Sequence, residues 1–159
     1  MKIGLALREL HRSEKSLARD LLVVADRHHV EHEIHHVARD LVRWSGEHLA
    51  GIAEAARAYD LNLDTDLPGQ GLRGAVRAKI SDMTGRFAAP GVLLLADLRR
   101  LHRKAAGVSL DWELVAQGAQ AVKDTGLLEL AQRCHPQTLR QLKWTNAMLK
   151  ALSPQVLAS

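Results

Sequence analysis

The sequence predicts an all-α fold: a four-helix bundle of two antiparallel hairpins joined by a long connection that carries one short extra helix. Three observations lead there. Ala, Leu, Arg and Glu dominate while β-branched clusters are rare. Apolar residues recur at steps of three and four along most of the chain, and no segment alternates as a strand would. One stretch only, DLNLDTDLPGQG at 60–71, concentrates Asp, Asn, Pro and Gly as a long linker does. At 159 residues the chain is about one ordinary domain, 1–159, able to bury a core without disulfides or structural metal.

The first helix follows from Ile3, Leu7, Leu10, Glu14, Leu17, Leu21 and Val24, spaced alternately by four and three so that they share one face. The second follows from Ile34, Val37, Leu41, Trp44, His48, Ile52, Ala55 and Tyr59, after a weakly signalled turn around His29 to Glu31. Beyond the linker a short helix is expected over Leu72 to Phe87, weakened by Gly74 and Gly85. Pro90 suits the first turn of the third helix, whose stripe runs from Leu94 through Leu101, Val108 and Trp112 to Val122. Asp124-Thr125-Gly126 marks the next turn, and the fourth helix carries Leu128, Ala131, His135, Thr138, Leu142, Thr145, Leu149 and Leu152. Pro136 removes a backbone donor and crowds the preceding turn, which predicts a kink or a restart near Arg133 to His135. Two hairpins and one long connection are the layout of the ferritin-like kind of four-helix bundle.

Charge narrows the function classes. The net charge is +4, but the 22 cationic and 18 anionic side chains are interspersed and the aromatic content is 3%. Without a basic block or base-stacking aromatics, nucleic acid is not the expected partner. The single Cys134 forms no internal disulfide and suits a reducing compartment. No apolar run reaches the roughly 18–20 residues of a membrane span, and Met1 to Arg8 lacks a secretory h-region. The expectation is a cytoplasmic protein with no membrane partner. Strand-borne phosphate loops are excluded with the strands, and neither Ser109 nor Cys134 has a sequence-defined base and orienter for nucleophilic catalysis.

Polar residues on the core stripes carry the chemistry, because each needs a buried partner. In an antiparallel hairpin, residues equally far from the turn lie at one height. Glu14 and His48 are level about position 31, and Glu113 and His135 are level about Asp124; Glu113 lies one position off its stripe, on the flank of His102, Ser109 and Gln120. If both levels coincide, Glu14, His48, Glu113 and His135 form a metal site whose nitrogen and oxygen donors suit iron, manganese or zinc. The alternative is two satisfied polar pairs, Glu14 with His48 and Glu113 with His135 or His102, kept for register. Glu33 and His36 have the i, i+3 spacing of di-iron bundles, but Ile34, Val37 and Leu41 claim the inward face, which sends Glu33, His36, Asp40 and Glu47 outward. His28, His32, His35 and His36 then read as a solvated helix start, with adventitious metal or pH sensing as alternatives. Trp44, Trp112 and Trp144 read as packing anchors.

The tripeptide Ser13-Glu14-Lys15 and its interval to Trp44-Ser45-Gly46-Glu47-His48 resemble the YciF-like stress-protein family of the ferritin-like superfamily. The resemblance spans both hairpins, roughly 5–60 and 94–152. It implies a di-iron carboxylate site and a stress or redox role. Glu14 and His48 match the family's first Glu and its second-helix His, while Trp44 stands where the second-helix Glu belongs. Leu110-Asp111-Trp112-Glu113 keeps only the last Glu of the third-helix motif, and Arg133-Cys134-His135-Pro136-Gln137-Thr138 keeps neither Glu of the fourth. What it implies here is a reduced, mononuclear or lost metal site, with Asp111 or Cys134 as stand-in ligands. The alternatives are a metal-free module whose Arg-rich faces or linker dock a protein partner or a second copy, and a haem or small-ligand binder using His48, His102 or His135.

Overall fold

The computed structural model describes residues 2–67 and 89–159. Helix α1 is Ile3–Arg27, α2 is His32–Ala56, α3 is Pro90–Ala121 and α4 is Thr125–Ala158. A single 3₁₀ turn, Arg57–Tyr59, follows α2. The expected short helix at 72–87 lies outside the described residues.

The stripes predicted for α1, α2 and α3 face inward except at Val122, which is exposed beyond the end of α3. On α4 only Ala131, Thr138 and Thr145 of the predicted stripe are buried, and Leu127, Leu130, Cys134 and Gln141 complete the inward face. Leu7, Leu10, Leu17 and Leu21 of α1, Leu41 and Ile52 of α2, Leu98, Leu101, Val108 and Trp112 of α3, and Leu127 and Ala131 of α4 form one core. Fully burying a Leu, Val or Ile side chain contributes about 1.5–3 kcal/mol, so these stripes, more than helix propensity, hold the helices together. α1 lies beside α2 and α3, and α4 beside α3 and α2. Facing residues give the directions. Ile3 meets Gly118 and Arg27 meets Asp97, so α1 and α3 are antiparallel; His48 meets Gln137 and Gly51 meets Leu130, so α2 and α4 are too.

α2 therefore ends at the level where α1 begins, and α3 begins where α1 ends. The described start of the connection turns back along α1: Leu61 lies on Gly4, and Asp64 receives the His11 Nε2 hydrogen at its carbonyl (2.7 Å) and the Lys15 ammonium at its carboxylate (2.5 Å).

Two helix ends close in the same way. Asp124 N–H donates to Ala119 and Lys123 N–H to Gln120, while Leu61 N–H donates to Ala56 and Asp60 N–H to Arg57. Both are Schellman closures, and they place Lys123 (φ 59°) and Asp60 (φ 56°) in the left-handed region that glycine fills most easily. Asp124 then caps α4 by accepting the Leu127 N–H at 2.9 Å.

The restart expected at Pro136 does not occur, because α4 runs unbroken through it. Pro136 and Gln132, whose carbonyl loses its donor, are both exposed, so the orphaned group lies on the solvent side of the helix. At Gly51 the α2 backbone comes so close to α4 that a Cβ would stand 2.6 Å from Leu130 Cδ1.

Candidate functional site

The centre of the bundle holds one hydrogen-bonded chain with a side chain from each helix. Glu14 of α1 is fully buried, and its Oε1 accepts from His48 Nδ1 of α2 at 2.8 Å and from Trp112 Nε1 of α3 at 2.9 Å. The far nitrogen of His48, Nε2, lies 2.7 Å from Gln137 Oε1 of α4. The His48 ring also stands edge-on to the Trp112 indole, with centroids 5.9 Å apart. Heptad spacing puts Glu14, His48 and Trp112 inward, where polar atoms need partners from other helices, and Gln137 reaches in from the flank of α4.

Both nitrogens of His48 face oxygen acceptors, the geometry of an imidazolium. Burial opposes the charge. The Glu14 hydrogen bond and charge, helped by Gln137, outweigh it and raise His48 above its ordinary value of 6.5. A second buried knot lies one helical turn along, where Gln141 Nε2 donates to the Leu41 carbonyl and to Ser45 Oγ, both at 3.0 Å.

The expected ligands fall into two pairs. Glu14 and His48 meet as described. Glu113 is on the surface, with its Oε2 4.0 Å from His135 Nδ1, while His135 Nε2 is hydrogen-bonded to Ser109 Oγ at 2.8 Å. His102 pairs instead with Thr145, at 3.0 Å. Among the described residues no group of three or more His, Cys, Asp and Glu side chains is placed to hold a metal ion.

The donor set at the centre also fits a metal poorly. Glu14 Oε2 is the one buried carboxylate oxygen there without a hydrogen-bond partner among the described residues. The neighbouring Trp112 presents a donor, which cannot ligate. Burial pushes the Cys134 thiol up to about 12, so it is protonated at neutral pH in the metal-free protein.

A cluster that sequence analysis missed lies towards the α1–α2 turn. Asp97 of α3 is fully buried. It accepts from Arg27 Nη1 at 2.8 Å on both oxygens, from His28 Nε2 at 2.7 Å, and from Arg100. Burial alone would raise its carboxyl, but the His28 hydrogen bond and the Arg27 charge hold it below the usual carboxylate value. The available signal was its place between Leu94, Leu98 and Leu101 on the inward face of α3. Gln137 and Trp112 escaped as hydrogen-bonding groups because neither residue type announces a partner on its own.

The histidine-rich start of α2 divides into separate roles. His28 belongs to the Asp97 cluster, and His35 Nδ1 donates to the Ala25 carbonyl near the end of α1 at 2.8 Å. His32 and His36 stack with centroids 6.4 Å apart on the exposed face, where Glu33, Asp40 and Glu47 also lie, as the periodicity predicts. Compared with protein-family models, with curated proteins and with solved structures, the chain matches none.

Proposed function

We propose that this chain is a non-catalytic docking module on a ferritin-like bundle, in which a hydrogen-bonded register lock stands where the family resemblance would put metal. One observation carries this: Glu14 Oε1, His48, Trp112 Nε1 and Gln137 Oε1, one residue from each helix, engage each other in a single hydrogen-bonded chain. A redox or hydrolytic site needs unengaged donors and access for a substrate. Here Glu14, His48 and Trp112 are each at most 1% exposed. Such a network fixes which helices meet and at what height, since a slip of one turn would strand a buried carboxylate.

A metal challenge tests the proposal. Protein purified without tag or chelator is titrated with Fe²⁺, Mn²⁺ and Zn²⁺ while its thermal unfolding is followed. A ligand bound only by the folded state at 100-fold its Kd adds about 2.7 kcal/mol, so a central site would raise the Tm visibly. The expected result is a Tm that no metal raises. A rise abolished by Glu14→Ala and His48→Ala overturns the proposal.

A further inference from the structure

The bundle gathers on one face cations that the sequence disperses. On α1, Arg8, Arg12, Lys15 and Arg19 follow one another by four, three and four, which puts them in a single row about 17 Å long. With His11, Ser16 and Leu63 they line a hollow of about 480 Å³. On α3, Arg99, Arg100, Arg103 and Lys104 line another of about 500 Å³. The two groups are continuous. Lys104 Nζ donates to Ser16 Oγ at 2.6 Å, and Asp20 of α1 lies 2.9 Å from Lys104 and 3.8 Å from Arg100.

Carboxylates neutralise part of the face. Glu9 pairs with Arg12, Asp64 with Lys15, and Asp20 with Lys104 and Arg100. Arg8, Arg19, Arg99 and Arg103 are exposed and form no ion pair among the described residues. Four guanidinium groups on two adjacent antiparallel helices present forked donors that match phosphate oxygens. No aromatic side chain among the described residues lines either hollow, and the most exposed large apolar side chains of the two helices, Leu5 on α1 and Leu110 and Leu114 on α3, stand apart from the hollows and form no continuous apolar stripe. Single-strand binders stack bases on aromatics, and membrane-surface helices bury an apolar face, so neither partner fits as well. A duplex shows about ten phosphate charges in about 17 Å of its axis, the length of the α1 row.

We propose that the α1–α3 face binds the phosphate backbone of double-stranded nucleic acid without reading its sequence. Counting charges along the chain argued against such a partner, whereas their placement in the fold argues for it. The proposal rests on the docking-module assignment, which the metal challenge tests separately: a central metal site would overturn that assignment and leave this face unchanged.

The test uses the whole chain and a mixed-sequence duplex of about 20 base pairs, followed by fluorescence anisotropy. With four phosphates neutralised, log K should fall against log salt with a slope of about −3.6, a loss of about 150-fold between about 50 and about 200 mM salt. Arg19→Gln with Arg103→Gln should weaken binding about tenfold or more and cut the slope by about 1.8. Arg39→Gln with Arg140→Gln removes the same charge from exposed positions on α2 and α4 and should leave binding close to wild type. Circular dichroism confirms that each variant is folded. The proposal is overturned by absence of binding at the lower salt, by equal losses in the two double variants, or by binding confined to single strands, phosphatidylserine vesicles or polyglutamate.

Discussion

Removing Glu14 and His48 together should cost no more stability than removing either alone. His48→Leu strands the buried Glu14 carboxylate beside a single Trp112 donor, a loss of about 3–5 kcal/mol. Glu14→Leu leaves two buried donors, His48 Nδ1 and Trp112 Nε1, without their acceptor, at about 1–3 kcal/mol each. In the double variant the Trp112 N–H and the half-buried Gln137 amide alone lose a partner, about 2–4 kcal/mol in sum, while two leucines refill the volume. The coupling between the two sites should therefore be at least about 3 kcal/mol, towards the top of what neighbouring residues show. Urea unfolding of all four proteins at neutral pH, followed by helical circular dichroism, measures it. Losses that add to within about 0.5 kcal/mol would mean that Glu14 and His48 are not coupled, because independent sites behave that way.

Three further outcomes are expected. Asp97→Asn leaves Arg27 buried without its counter-charge and should cost about 3–5 kcal/mol, whereas Asp97→Leu with Arg27→Met should recover much of the loss in the same unfolding assay. Because the Asp97 carboxyl is held below its unfolded value, its stabilisation is present above that value and lost as pH falls through the folded one, so wild type should lose more stability than the double variant on acidification below about pH 4. Lys123→Gly should raise stability by about 0.5–1 kcal/mol in thermal unfolding, since it relieves a left-handed residue in the α3 closure.

What the sequence made legible was whatever periodicity controls. The four stripes, the turn at Asp124, the outward aim of Glu33 and His36, and the meeting of Glu14 with His48 all follow from three-four spacing and equal distance from a turn. Glu113 shows the limit of that logic: one position off the stripe is a rotation of about 100° around the helix, enough to move it to the surface. The partners of Gln137 and Asp97 were hidden for another reason, although the inward position of Asp97 was itself legible. A half-buried amide reaching one imidazole, and a carboxylate neutralised by Arg27, are properties of side chains brought together from far apart in sequence. The basic face was hidden in the same way, because α1 and α3 contribute to it from segments far apart in sequence, 88 residues at the Lys104–Ser16 contact. At Pro136 the helix continues without the restart, because the carbonyl that loses its donor belongs to the exposed residue Gln132.

His48 is clamped between two protein oxygens within a network drawn from α1, α2, α3 and α4. Long-range ¹H–¹⁵N NMR of the histidine rings reads that clamp at the two nitrogens. Both His48 nitrogens should be protonated at about pH 6, with the proton lost only as pH rises above the ordinary 6.5, and stability should decline over that range as a raised group requires. A ring that is singly protonated at about pH 6, or whose nitrogen signals move when Fe²⁺ or Zn²⁺ is added, would mean that the clamp does not exist.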